Sequence, residues 1–216
     1  WQQSQKLQAL FTNRMLREGT QKYTAATIAE KLDYYGSWLE LSSSSEYAYI
    51  TVYSLNKYLA KTLEVVESMI KEPVFPEKEL HTILDTNIQQ YLVNTSKVDF
   101  LAHRGLLQAL YGTQHPCGQI VVEEDYHAII PEVLRDFYGR HYHSGNCSIF
   151  LSGKVTEDII RRVTGAFGTP FGQYQLKASK PIFSFVAVPE KRIFIEREDA
   201  LQSAVKMGSV SYTHLR

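Results

Sequence analysis

The chain has 216 residues, 44 % hydrophobic and 21 % charged, which is the usage of a globular domain with a sizeable core. Lysine plus arginine total 23 and aspartate plus glutamate total 23, so the formal net charge is zero. That balance excludes a nucleic-acid binder whose affinity rests on a basic face, and no apolar run approaches the roughly 20 residues of a membrane-spanning helix.

The two cysteines, Cys117 and Cys147, are too few for a disulfide framework and form no Cys-x-x-Cys pair. They are expected to be unpaired, partly buried thiols. The chain begins at Trp1 with no signal-like segment, and the compartment is not legible. Tyr212 to Arg216 follows a strand-like run without helix or cap, so the expectation is one domain, residues 1–216, truncated at both ends.

In chain order, Leu7, Leu10, Phe11 and Met15 recur at helical spacing within Ser4 to Arg17, and Gly19 follows as a stop. Thr24 is the expected N-cap of a second helix carrying Ile28, Leu32 and Tyr35 and closed by Gly36. The period then changes to two. Ser37 to Leu41 and Tyr47 to Leu55 alternate about the polar turn Ser42 to Ser45, which predicts a β-hairpin with one buried face.

Asn56 is the expected cap of a third helix, striped by Leu59, Leu63, Val66 and Ile70 and broken by Pro73 and Pro76. Helices are predicted over Glu77 to Val93, Ser96 to Tyr111 and Glu132 to Tyr138, with Pro131 at the last one's start. Cys147 to Leu151 reads as a buried strand, and Thr156 caps a helix over Glu157 to Ala166. Pro170 to Pro189 is loop-like; Ile193 to Glu196 and Ala204 to Ser211 read as strands. Helices and antiparallel strands are segregated rather than alternating, so the fold class is α+β.

Five stretches in this order resemble a module of the insulinase (pitrilysin) family of zinc metallopeptidases. Leu10 to Thr20 stands where the family carries His-x-x-Glu-His-Met-Leu-x-x-Gly-Thr, with Met15-Leu16-x-x-Gly19-Thr20 intact. The helix end at Gly36, Pro73-Val74-Phe75-Pro76-Glu77, the loop Gly112 to Gly118 with His115-Pro116, and Phe137-Tyr138 through Asn146 to Gly153 complete the set. The resemblance implies helices packed on a mixed, mostly antiparallel sheet.

It also implies a zinc site of known logic. Two histidines one helical turn apart bind the metal, and the glutamate between them activates metal-bound water. A third ligand, a glutamate, follows about 70 to 80 residues later. The matching positions here are Leu10, Asn13 and Arg14, and the third-ligand window, Asp85 to Tyr91, contains no glutamate. Leucine has no lone pair to donate, asparagine is no general base, and arginine is a permanent cation. This chain is therefore expected to bind no zinc, to have no catalytic residue and no activity alone, and to rely on zinc in a partner module.

Other candidate ligands read blandly. His141 and His143 are expected as surface or hairpin-edge histidines, Asp99 and His103 as a solvated helix pair, and Ser42 to Ser45 as a turn without a nucleophile elbow. Glycines 165, 168 and 172 do not link a strand to a helix, so they form no phosphate loop.

Family architecture implies a role for such a module. Paired modules enclose a chamber for unfolded peptide, and the half without zinc closes it. That half's substrate-contacting Arg/Tyr pair has no match here, since Tyr212 and Arg216 have the wrong order and spacing. The expected partners are a zinc-bearing homologous subunit or second module, unfolded peptide at a sheet edge, and a dimer mate. The alternatives are a structural or assembly subunit that binds proteins without a peptidase role, and an unrelated α+β domain.

Overall fold

The computed structural model describes residues 3–44, 46–172, 190 and 192–208. Its first helix, α1 (Gln8–Met15), has eight residues. Alone in water such a helix is marginal, so its stability comes from packing. Phe11, Met15 and the following Leu16 are completely buried, as are the polar Gln8 and Thr12. The polar groups are satisfied on the spot: Gln8 Nε2 donates to the Val133 carbonyl at 2.8 Å and Thr12 Oγ1 to the Gln8 carbonyl at 2.8 Å.

Around α1 stand the other elements: α2 (Ala25–Tyr34), β1 (Trp38–Ser43), β2 (Ala48–Tyr53), α3 (Leu59–Lys71), α4 (Glu77–Thr95), α5 (Val98–Tyr111), α6 (Glu123–His127), α7 (Pro131–His141) and α8 (Glu157–Phe167). The fold is α+β. Helix α1 packs on α7 and on both strands, α3 on α8 and α2, and α4 on α5 and α6.

Local signals read from the sequence act as expected at several joints. Thr24 Oγ1 accepts from the Thr27 N–H at 3.2 Å, and Thr156 Oγ1 from the Ile159 N–H at 3.4 Å, so both cap their helices. Gly36, at φ 59°, ends α2: its N–H donates to the Asp33 carbonyl and the Ser37 N–H to the Leu32 carbonyl. The hairpin pairs Trp38 with Tyr53, Leu39 with Val52 and Leu41 with Ile50. Its inner face serves two cores. Leu41 and Ile50 pack on the cluster of Phe11, Met15, Leu16, Phe75, Leu80, Leu84, Ile129 and Leu134, whereas Leu39 packs on Ile28, Leu32, Val65 and Met69.

The stretch Met15-Leu16-x-x-Gly19-Thr20 has a structural reason at each position. Met15 and Leu16 fill the first core. A Cβ on Gly19 would lie 3.0 Å from Pro76 Cγ and 3.2 Å from Val74 Cγ2. Thr20 Oγ1 accepts from the Tyr23 N–H at 2.9 Å, the Lys22 N–H at 3.1 Å and Ser68 Oγ at 2.8 Å, tying the turn after α1 to α3.

Three predicted strands are corrected. Cys147 to Leu151, Ile193 to Glu196 and residues 204–208 are in no strand, while 209–211 lie outside the described residues. Phe150, Phe194 and Val205 are strongly exposed. An alternating pattern becomes a strand only against a neighbour that takes its N–H and C=O groups, and no described segment does so. The described sheet thus has two strands. Asn56 caps nothing; it lies in a 3-10 turn before α3 and donates to the Lys154 carbonyl at 3.1 Å. The short acidic α6 escaped the periodicity reading because five residues make little more than one turn.

Gly19→Ala should cost about 1–3 kcal/mol, since the Pro76 ring yields little room, and Met15→Ala about 2–5 kcal/mol. Urea unfolding of each variant checks this; wild-type midpoints for both would contradict the packing described.

Candidate functional site

The candidate site is the face of α1 that the sequence marks at Leu10, Asn13 and Arg14. Leu10 is half-buried and Asn13 is buried. The Asn13 amide faces the hairpin: Nδ2 donates to the Ser42 carbonyl at 2.6 Å and lies 3.4 Å from that of Tyr49, residues paired across β1 and β2. Its Oδ1 is buried without a partner among the described residues.

Arg14 points the other way, to α4. Its Nη1 donates to Asn87 Oδ1 at 2.5 Å, and Asn87 Nδ2 donates to the Ile83 carbonyl at 2.7 Å. Asn87 lies inside the window Asp85 to Tyr91. Asp85, the window's acid, is exposed, whereas Leu84, Asn87, Ile88 and Tyr91 form the more buried face.

Beyond Arg14 runs a file of rings and cations. The Arg14 guanidinium carbon is 5.9 Å from the Phe11 ring centroid, Phe11 meets Tyr126 edge-on at 6.1 Å, and Tyr126 meets Tyr91 at 5.6 Å. Arg104 of α5 closes the file, 5.8 Å from Tyr91 and 5.4 Å from Phe100, with Nη2 donating to the Val121 carbonyl at 2.9 Å. Burial raises the Tyr126 hydroxyl above its ordinary range, with Tyr91 adding to the shift; the charges of Arg14 and Arg104 act in the opposite sense. Sequence reasoning missed this file because its members come from four elements.

These residues do not fit a zinc ion. Leu10 offers no donor atom, the Asn13 amide nitrogen is turned to the hairpin carbonyls, and a guanidinium held on Asn87 repels a dication. Among the described residues no group of three His, Cys, Asp or Glu side chains could hold a metal.

The remaining candidates fall elsewhere. His141 and His143 are not at a surface or hairpin edge: His141 ends α7 with its ring 4.3 Å from that of Phe137, and His143 is buried. The burial follows from α7 running through His141 where a strand edge was expected. Asp99 pairs with Lys206 Nζ at 2.5 Å rather than with His103, which is exposed. In the hairpin turn the Tyr47 N–H donates to Ser44 Oγ at 3.1 Å; Ser45 lies outside the described residues. His115 is a loop organiser, stacked on Tyr111 at 5.0 Å and accepting the Cys117 N–H on Nδ1 at 3.1 Å. Cys117 and Cys147 are free thiols. A cleft of about 450 Å³ between α3 and α7 is lined by Lys71, Arg135 and Arg140, each already paired with an acid.

Residues 8–120 match the family model described as insulinase (peptidase family M16), and residues 128–211 match that of the peptidase M16 inactive domain. The chain belongs to the insulinase family. Among M16 relatives, the uncharacterized zinc protease YmxG of Bacillus subtilis is 25 % identical over 161 residues, covering 74 % of this chain and 39 % of its own. Mitochondrial-processing peptidase subunit alpha-1 of Dictyostelium discoideum is 26 % identical over 177 residues, 80 % of this chain and 27 % of its own. The chain therefore spans well under half the length of either relative. The crystal structure of a peptidase M16 inactive domain from Pseudomonas fluorescens superposes with a TM-score of 0.68 at 25 % identity, over 81 % of this chain and 44 % of that one. No helix among the described residues is long and apolar enough to cross a membrane.

Asn13→Ala should cost about 1–3 kcal/mol by removing the buried amide that ties α1 to the hairpin carbonyls, measured by urea unfolding; no loss would contradict the tether. Burial holds both His115 and His141 below the ordinary 6.5. The unfolded chain then binds protons more readily, so their contribution to stability is complete above 6.5 and is lost as pH falls below it. The melting temperature should drop between about pH 7.5 and pH 5.5, and His115→Gln should shrink the drop; an equal drop in the variant would contradict the assignment to His115.

Proposed function

We propose that this chain is a non-catalytic half or subunit of an insulinase-family zinc metallopeptidase that closes the peptide-binding chamber of a zinc-bearing partner module. The observation that carries the reading is the Arg14 guanidinium hydrogen-bonded to Asn87, a cation bridging α1 and α4 where the family places its metal. Around it the scaffold is kept: Met15, Leu16, Gly19 and Thr20 pack and bond as structural residues. A module that retained the frame while replacing the ligands serves as wall rather than as catalyst.

Peptide would be held along a strand edge of the hairpin, where free backbone N–H and C=O groups take an extended chain. The zinc, and the water it activates, belong to the partner.

A second reading, an assembly subunit without a peptidase role, is favoured by the outer face of the hairpin. Trp38 and Tyr53 stand opposite each other there with more than half of each exposed, and Tyr49 shares the face. Such rings are typical anchors of protein interfaces.

Elemental analysis of metal-loaded, dialysed protein, with a fluorogenic peptide assay beside it, tests the first reading. The expected result is no bound zinc, no cleavage by the chain alone, and cleavage on mixing with a His-x-x-Glu-His homologue in excess of what that homologue achieves alone. One equivalent of zinc with cleavage by the chain alone would overturn the reading. Absence of any effect on the zinc-bearing homologue would favour the assembly subunit.

A further inference from the structure

The file of rings beside α1 carries two arginines and no acid. Among the described residues neither Arg14 nor Arg104 has a carboxylate partner, and every aspartate and glutamate of the chain lies among those residues. Asp125, next to Tyr126, is already engaged by Lys6 Nζ at 3.0 Å and by the Val122 N–H at 2.8 Å. Among the described residues each guanidinium makes one hydrogen bond, to a neutral oxygen, which leaves most of its five N–H donors for a ligand. Both are half-buried, so a counter-ion from bulk water screens them less than at an open surface.

Resting on the chamber-wall reading, we propose that Arg14 and Arg104 form a recognition site for a carboxylate of the enclosed peptide, with Phe100, Tyr91 and Tyr126 as its apolar floor. Guanidinium and carboxylate match as planar, bidentate partners. The rings hold each guanidinium plane by cation–π contact and offer flat surface to the peptide's neighbouring side chains. Where a catalytic module attracts the scissile carbonyl with a dication, this module would attract the peptide through an acidic group elsewhere along it. The carboxylate can come from an acidic side chain or from a free C-terminus.

Isothermal titration of the whole chain with three N-acetylated decapeptides distinguishes these sources. One is glutamine-rich with an amidated end, one has glutamates at alternate positions with an amidated end, and one is glutamine-rich with a free C-terminus. The expected result is that at least one carboxylate peptide binds about tenfold or more tighter than the neutral one, with an advantage that shrinks as salt rises. Arg104→Gln and, separately, Arg14→Gln should each remove most of that advantage while leaving binding of the neutral peptide unchanged. Wild-type melting temperatures for the variants exclude a general loss of fold, and Arg104→Gln, which leaves the α1–α4 contact alone, decides the matter if Arg14→Gln is unstable. Equal binding of all three peptides, or an advantage that survives in both variants, would overturn the carboxylate site and leave the peptide-wall reading standing. No binding of any peptide would overturn both.

Discussion

Everything near the candidate site depends on the burial of one short helix. Eight residues cannot hold α1 in water; the hairpin, α4 and α7 hold it by taking Phe11, Met15 and Leu16 into a common core. Burial at that depth also fixes what the polar side chains of α1 can do. Gln8 must find α7, Thr12 must bond its own helix, and Asn13 must find the hairpin, because an unpaired donor in that environment is costly.

The same constraint explains how the frame is held with asparagine and arginine at positions 13 and 14. Asn13 donates to hairpin carbonyls, which a carboxylate cannot do. Arg14 spans from α1 to Asn87 on α4 through a hydrogen bond. The two side chains act together: one fastens α1 to the strands and the other fastens it to a helix, so the helix is held from both sides with a guanidinium between α1 and α4.

Much of this was legible in the sequence where the signal is local. Thr24 and Thr156 as caps, Gly36 as a helix stop, the hairpin (though Ser42 and Ser43, expected in its turn, belong to β1) and the frame of Met15 to Thr20 are each set by a few adjacent residues. Among the described residues the strands expected at Cys147 to Leu151 and beyond Ile193 are absent, because strand formation depends on a partner that periodicity cannot supply. The histidines misread for a related reason: His141 is carried inward by an α7 longer than its apolar pattern suggested. Within the candidate site, Leu10, Asn13 and Arg14 were found by motif position. Asn87 was identifiable only as part of a window, and Tyr91, Arg104 and Tyr126 only once α4, α5 and α6 were packed together.

In the structure Arg14 and Asn87 meet between α1 and α4, and that contact leaves no room there for a dication. Crystals of the protein grown or soaked with zinc, measured on both sides of the zinc absorption edge, test it most directly. The expected result is no anomalous density between α1 and α4, with the Arg14 guanidinium on Asn87 as in the zinc-free protein. An anomalous peak within bonding distance of α1 side chains, with Arg14 swung away from Asn87, would contradict it.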